Sequence, residues 1–175
     1  LRLPLMTRIL LVDDHPLLRQ GIAMTLDAEP DFEVAGQASD AEEALATFDA
    51  VAPDLVVTDI SLPGMNGLEL MKNLLALHPD LPVLVVSRHD EDLYAERAVR
   101  AGARGYVSKL AAGDQIVTAV RRVLRGGIHL SEDLKDKLLF GAAAGVKDAT
   151  QTPLEVLSDR ELELFEMTGR GIPTR

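Results

Sequence analysis

The amino-acid sequence predicts an α/β protein built on a doubly wound, five-stranded parallel sheet. Over the first 127 residues, apolar runs typical of buried strands alternate five times with stretches whose apolar residues recur at helical spacing. Four of the apolar runs end in polar residues, as ILLVDD and LVVTD do. Alternating strands and helices favour a parallel sheet with right-handed crossovers and helices on both faces.

The strand patterns are short runs of branched apolar residues. They cover Arg8–Asp14, Phe32–Ser39, Asp54–Ile60, Pro82–Arg88 and Arg104–Lys109. A helical pattern follows each strand. The helices cover Pro16–Ala28, a stretch that begins at Asp40, Gly67–His78, Asp90–Ala101 and Asp114–Arg125. These ten elements form one predicted domain, residues 1–127.

Local signals mark where two of these helices begin. Pro16 suits a first helical turn, where the backbone N–H that proline lacks has no intrahelical partner. Asp40 is followed three residues later by Glu43, which is the spacing of a capping box. Both signals support helices directly after the first and second strands.

The remainder of the chain has a different organisation. Residues 128–155 are predicted to form a helical segment, Leu130–Phe140, and a linker, Gly141–Pro153, whose small and polar residues show no periodicity. Residues 156–175 contain a further helical pattern, Leu157–Met167, with Ser158 and Glu161 in capping-box spacing.

The amino-acid composition and net charge exclude several classes of function for this chain. The 175 residues include no cysteine, which excludes disulfides, thiolate metal sites and a cysteine nucleophile and fits a reducing cytosol. No apolar run approaches the roughly 20 residues that span a bilayer. The net charge of −10 argues against nucleic-acid binding by the residues present.

Polar side chains gather at one edge of the predicted sheet. A flavodoxin-like strand order, 2-1-3-4-5, places the carboxyl ends of the first and third strands side by side, at the switch point where such folds bind ligands. Asp13, Asp14 and Asp59 lie there. Ser87 and Lys109 end the fourth and fifth strands at the same edge.

This group of residues predicts phosphoryl chemistry with a metal ion. Three neighbouring carboxylates repel each other unless a cation holds them, and oxygen ligands favour Mg²⁺. A carboxylate can attack phosphorus, while a metal ion and a lysine neutralise the charge of the transferred group. His15, His78 and His129 have no partners that suggest a metal, so we interpret them as surface residues.

Residues 8–127 resemble the receiver domain of bacterial two-component response regulators, which has the flavodoxin-like, CheY-like fold. The resemblance depends on four motifs in the family's order. They are Asp13-Asp14, DISLPGMNG beginning at Asp59, Ser87 and Lys109.

The resemblance assigns roles to these positions. Asp59 is expected to be the phosphoacceptor. Asp14, Asp59 and the backbone carbonyl of Ser61 are expected to hold Mg²⁺, with Asp13 acting largely through water. Lys109 is expected to pair with the phosphoryl group.

The resemblance also implies a conformational switch. Ser87 and Tyr106 are the expected switch pair, and Ser61 and His89 are expected to flank the phosphoryl group and tune its lifetime. Receivers often have a cis proline after the lysine, whereas this chain has Leu110. A cis bond there would cost roughly 3–4 kcal/mol, which leaves the local geometry open.

The end of the chain, LSDRELELFEMTGRGIPTR, resembles the opening of a LuxR-type helix-turn-helix, so the resemblance implies that residues 156–175 are the start of an all-α domain. With the receiver this implies the NarL/FixJ family of transcription regulators: cytoplasmic proteins, not enzymes, that accept phosphate from a sensor histidine kinase, form homodimers and bind DNA through the full-length helix-turn-helix. Two alternatives stay open, a receiver that acts only as a protein-interaction module and an aspartate-based phosphatase. Ser61 stands where such phosphatases carry a second acid, which argues against the latter.

We expect the chain as given to bind DNA poorly or not at all, because the helix that would enter the major groove is absent from this sequence. An electrophoretic mobility shift assay with increasing salt measures this. A sequence-specific, salt-sensitive shift by the 175-residue chain would contradict the expectation.

Overall fold

A computed structural model describes residues 6–89, 91–143 and 157–169. The strands are β1 Thr7–Val12, β2 Phe32–Ala38, β3 Leu55–Thr58, β4 Val83–Ser87 and β5 Gly105–Ser108. The helices are α1 Pro16–Asp27, α2 Ala41–Val51, α3 Gly67–Leu77, α4 Glu91–Arg100, α5 Ala112–Leu124, α6 Glu132–Ala143 and α7 Asp159–Gly169. Every strand and helix predicted from the sequence is present, although the strands are shorter by one to three residues.

The sheet is parallel throughout, with the order β2-β1-β3-β4-β5, which confirms the predicted topology. Val12, the last residue of β1, pairs with Thr58, the last residue of β3. The residues that follow these two, Asp13 and Asp59, therefore leave the sheet side by side. The register of β1 and β3 alone brings two of the predicted site residues together.

Both faces of the central strands are covered by helices, so their residues are apolar with little alternation. All four residues of β3 and all five of β4 are buried. On one face, Ile9 and Leu11 of β1 pack in a cluster with Leu26 of α1 and Ile116 of α5. This core holds the strand ends, and therefore the site, in a fixed register.

The predicted helix start at Asp40 is confirmed in part. The Asp40 carboxylate accepts the Glu43 backbone N–H at 2.8 Å, as an N-cap should. The Glu43 side chain reaches back to the backbone N–H of Ser39, at 2.7 Å, rather than to that of Asp40. The first bond of the capping box is therefore present, but the Glu43 side chain accepts from the residue before the N-cap instead of from the N-cap itself.

After α5, the segment around His129 runs beside β5, the edge strand of the sheet, and forms backbone hydrogen bonds with it. The Tyr106 backbone N–H donates to the His129 carbonyl at 2.9 Å, and the His129 N–H donates to the Arg104 carbonyl at 3.0 Å. His129 is thus half-buried and paired through its backbone, so its interpretation as a surface residue was wrong. Leu130 and Leu134, which follow it, are buried.

The chain divides into two compact units between Leu134 and Lys135. Helix α6 includes Gly141, where the sequence had suggested the start of a linker, and ends at Ala143. An alanine-rich stretch costs a helix little, which explains why small residues did not end it there. The linker from residue 144 onward lies outside the described residues, and the domain boundaries at 127 and 155 stay predictions.

In the second unit, α7 begins with the predicted capping box. The Ser158 hydroxyl accepts the Glu161 N–H at 3.3 Å, and the Glu161 carboxylate accepts the Ser158 N–H at 2.8 Å. The resemblance to a helix-turn-helix also implies the start of a second helix after α7, and this prediction lies outside the described residues.

The described residues can also be compared with the sequence for two features, membrane-spanning helices and the peptide bond after Lys109. No helix among them is both long and apolar enough to cross a membrane. Within the same ranges every peptide bond is trans, including the bond between Lys109 and Leu110.

Gly67 starts α3 against the backbone of the site. A Cβ added to this glycine would lie 1.7 Å from the carbonyl oxygen of Asp59. The Gly67 N–H donates to the Ile60 carbonyl at 2.8 Å, which keeps the two segments in contact. Only glycine allows α3 to begin so close to Asp59.

We expect Gly67→Ala to lower the free energy of unfolding by roughly 1–3 kcal/mol or more, because the backbone around Asp59 must move to admit the methyl group. Urea denaturation followed by circular dichroism measures this. Gly21→Ala is the matched control: Gly21 lies inside α1 with nothing within 4 Å of an added Cβ, so the change should stabilise by about 1 kcal/mol. Equal effects at the two positions would contradict the packing argument.

Candidate functional site

The candidate site lies where β1 and β3 end. The Asp13 N–H donates to the Ala38 carbonyl at 3.0 Å and the Asp59 N–H donates to the Val12 carbonyl at 2.9 Å, so both residues are still held by the sheet. Asp13 and Asp59 are each 2% exposed. Asp14, one residue further along, has turned outward and is exposed. Two of the three carboxylates are therefore buried and need a partner.

Lys109 supplies that partner. Its ammonium lies 2.7 Å from Oδ2 of Asp13 and 2.6 Å from Oδ2 of Asp59, and the side chain is 2% exposed. The Lys109 N–H donates to the Ser87 carbonyl at 2.9 Å, which sets where the side chain leaves β5. One lysine thus joins the ends of three strands, as the sequence predicted for this edge.

The Asp59 carboxylate is held at both oxygens. The Ile60 N–H donates to Oδ1 at 2.7 Å, and Lys109 contacts Oδ2. Burial raises the pKa of Asp59 above its ordinary value, the charge of Lys109 opposes this rise, and the nearby charge of Asp13 adds to it. This carboxylate is therefore desolvated and has a fixed orientation.

His15 is part of the site, contrary to its interpretation as a surface residue. Its Nδ1 lies 2.6 Å from Oδ1 of Asp14 and 3.3 Å from Oδ1 of Asp13. Its Nε2 lies 2.5 Å from a terminal nitrogen of Arg88. The only signal for His15 in the sequence was its position directly after the two aspartates, and no sequence pattern pointed to Arg88.

The donor set suits a divalent cation. One oxygen or nitrogen atom from the side chain of each of Asp13, Asp14, His15 and Asp59 lies within 4.8 Å of the other three. Three carboxylates against a single contacting lysine leave an excess of negative charge, which a divalent cation would offset. The residues present therefore fit a metal of the hard, oxygen-binding kind.

The other predicted site residues meet at His89. The Tyr106 hydroxyl donates to the His89 carbonyl at 2.8 Å, and the His89 N–H donates to the Ser87 hydroxyl at 3.2 Å. The Ser61 hydroxyl contacts Nε2 of the same histidine. The His89 ring packs on Tyr94 of α4, with ring centroids 4.4 Å apart. Ser87 and Tyr106 are buried, whereas Ser61 and His89 are partly exposed.

The predicted residues thus fall into two neighbouring sets. The first set lies at the ends of β1, β3 and β5 and consists of Asp13, Asp14, Asp59 and Lys109, to which the structure adds His15. We call it the acidic set, because three of its members are carboxylates. The second set gathers around the β4–α4 loop. A doubly wound sheet with this acidic set at its switch point is the arrangement of a receiver domain.

Comparison with known proteins agrees with this class. The model of the response regulator receiver domain matches residues 9–121. The chain is 36% identical over 162 residues to the response regulator GacA of Pseudomonas protegens, covering 93% of this chain and 75% of that protein. It is 31% identical over 181 residues to the transcriptional regulatory protein DegU of Brevibacillus brevis, with 96% and 77% covered.

Solved structures give the same result. The crystal structure of a two-component response regulator of the LuxR family from Aurantimonas sp. SI85-9A1 superposes with a TM-score of 0.71 at 32% identity, covering 79% of this chain and 99% of that one. The chain belongs to the response regulator family.

We expect Asp59→Asn to stabilise the metal-free protein at neutral pH. Because the pKa of Asp59 is raised in the folded state, its contribution to stability is fully present below the unfolded pKa and is lost as pH rises through the folded pKa. Asparagine does not titrate, so the excess stability of the variant should grow from acid to neutral pH.

Urea denaturation in the presence of a chelator, at a series of pH values, measures this difference. Asp54→Asn is the matched control, since Asp54 precedes the same strand at its opposite end and is exposed. If Asp59→Asn raised the free energy of unfolding by the same amount at every pH, the result would contradict the argument that burial raises the pKa of Asp59.

Proposed function

We propose that this chain is a phosphorylation-controlled transcription regulator whose phosphoacceptor is Asp59. The observation that carries the proposal is the Lys109 ammonium in contact with both Asp13 and Asp59 at the switch point of the sheet. A buried nucleophilic carboxylate beside an acidic cation site and a lysine is what phosphoryl transfer to aspartate requires.

The donor in this proposal is a phosphohistidine of a sensor histidine kinase. We assign the attack on phosphorus to Oδ2 of Asp59, because the Lys109 ammonium that would neutralise the phosphoryl oxygens lies beside this oxygen. An O–P bond forms, the P–N bond to the donor histidine breaks, and the imidazole keeps the electron pair. Lys109 stays close to Oδ2 and neutralises charge on the phosphoryl oxygens. Mg²⁺ would be held by Asp14, Asp59 and the Ser61 carbonyl, with Asp13 acting largely through water, and it would supply further neutralisation of this charge.

Phosphorylation then acts on the second set of residues. A phosphoryl group adds roughly −1.5 to −2 charge, which attracts Lys109 and the hydroxyl of Ser87. Moving Ser87 disturbs its bond with the His89 N–H, and His89 is also the residue to which the Tyr106 hydroxyl donates. The Tyr106 N–H in turn holds His129, in the segment that leads to α6. This path provides a two-state element that phosphate can bias.

Membership of the response regulator family supports the output that we propose. Response regulators interact with histidine kinases and dimerise, and relatives of this chain are transcriptional regulators. We therefore assign the chain a cytoplasmic role in which phosphorylation changes a homodimer and the full-length helix-turn-helix binds DNA. We do not assign it an enzymatic activity on external substrates, because Ser61 stands where an aspartate-based phosphatase has its acid.

Intact mass after incubation with acetyl phosphate tests the proposal. We expect one phosphoryl adduct that requires Mg²⁺ and disappears in Asp59→Asn. Asp54→Asn, which changes an exposed acid at the far end of β3, should keep the adduct. An adduct that persists in Asp59→Asn, or no adduct with Mg²⁺ present, would overturn the assignment.

A further inference from the structure

We propose that His15 is a positioning residue of the cation site: its ring orients the Asp14 carboxylate, and Arg88 orients the ring. This inference rests on the proposed function, since it concerns the cation used in phosphoryl transfer to Asp59. It assigns a role to His15 and Arg88, which belong to none of the motifs described above.

His15 contacts both adjacent aspartates. Its backbone N–H donates to Oδ1 of Asp13 at 2.7 Å, which fixes the turn that follows β1. Its ring Nδ1 lies 2.6 Å from Oδ1 of Asp14 and 3.3 Å from Oδ1 of Asp13. The ring therefore lies against the carboxylates, although 38% of the side chain is exposed.

The contacts of the ring determine where its proton lies. Arginine carries only donors, so Nε2 of His15 accepts from Arg88 at 2.5 Å and the ring proton is on Nδ1. Nδ1–H then donates to Asp14. The Lys109 ammonium, 3.5 Å from Nδ1, is also a donor and cannot bond to a protonated Nδ1. Both ring nitrogens are thus engaged, and neither keeps a lone pair for a metal ion.

Asp14 is the carboxylate that needs such support. Lys109 holds Asp13 and Asp59, whereas Asp14 points outward and is 36% exposed. A hydrogen bond from His15 to Oδ1 holds the carboxylate in one orientation and leaves Oδ2 for a cation. Partners that orient metal ligands in this way typically contribute a factor of 10–100 to metal affinity.

Arg88 has a weaker and distinguishable effect. It is exposed, and contacts between exposed groups contribute little by themselves. Its positive charge, taken alone, repels a cation, so removing that charge would tighten binding. If Arg88 acts by holding the His15 ring, removing it weakens binding instead. The sign of the change therefore separates the two effects.

Titration of the metal-free protein with Mg²⁺ alone, followed by the amide resonances of the site in NMR spectra, tests the role of His15. We expect His15→Ala to raise the dissociation constant for Mg²⁺ about tenfold or more. His15→Asn should restore much of the affinity, because its side-chain N–H₂ can replace the Nδ1–H donor. His78→Ala, at the opposite edge of the sheet, is the matched control and should bind as the unaltered chain does.

A double-mutant cycle tests the role of Arg88. Arg88→Met should weaken Mg²⁺ binding severalfold in the unaltered chain, but it should not weaken binding in His15→Ala, where only the loss of the repelling charge remains. Unchanged or tighter Mg²⁺ binding by His15→Ala would overturn the proposal. So would an Arg88→Met change that tightens binding equally in both backgrounds. Unfolding midpoints measured with a chelator should be equal for all variants, which separates positioning from folding.

The failure of this inference differs from the failure of the proposed function. If the unaltered chain binds Mg²⁺ and accepts phosphate on Asp59, but His15→Ala binds Mg²⁺ equally well, only the role of His15 is wrong. If the unaltered chain neither binds Mg²⁺ nor forms the adduct, both proposals are wrong.

Discussion

The contact of the Lys109 ammonium with the buried carboxylates of Asp13 and Asp59 is the interaction on which the rest of the site depends. Two carboxylates that are each 2% exposed cannot remain ionised beside each other without a cation. Lys109 meets that requirement at 2.6 and 2.7 Å, and it does so from a different strand. The interaction therefore requires the ends of β1, β3 and β5 to lie at one edge, which the parallel sheet and its core ensure.

The balance of charge at this edge also explains why the site suits a cation. One ammonium does not neutralise three carboxylates, and burial already raises the pKa of Asp59. A divalent cation removes this imbalance, and a phosphoryl group then adds negative charge that Lys109 and the cation can share. In the proposed function, the same excess of negative charge that destabilises the metal-free site makes it able to bind the cation that phosphoryl transfer needs.

Strand ends were predictable from the sequence and loop contacts were not. Asp13, Asp59, Ser87 and Lys109 each end an apolar run, and parallel pairing brings such ends to one edge whatever the details of packing. The ring of His15 depends on a rotamer and on Arg88 of a different loop, and neither leaves a periodic signal in the sequence. The helical state of Gly141 was missed for a related reason. Small residues are compatible with both helix and linker, and only the structure shows which was adopted.

Two consecutive loop residues connect the halves of the site. Arg88 reaches His15 after β1, while His89 contacts Ser61 after β3 and accepts the Tyr106 hydroxyl from β5. They are the first two residues after Ser87, so a movement of Ser87 toward a phosphoryl group displaces the β4–α4 loop where it begins. In the proposed function, that loop therefore receives the effect of phosphorylation first. If Arg88 supports the cation site through His15, the displaced loop also changes how the cation is held, which couples the switch to the chemistry in both directions.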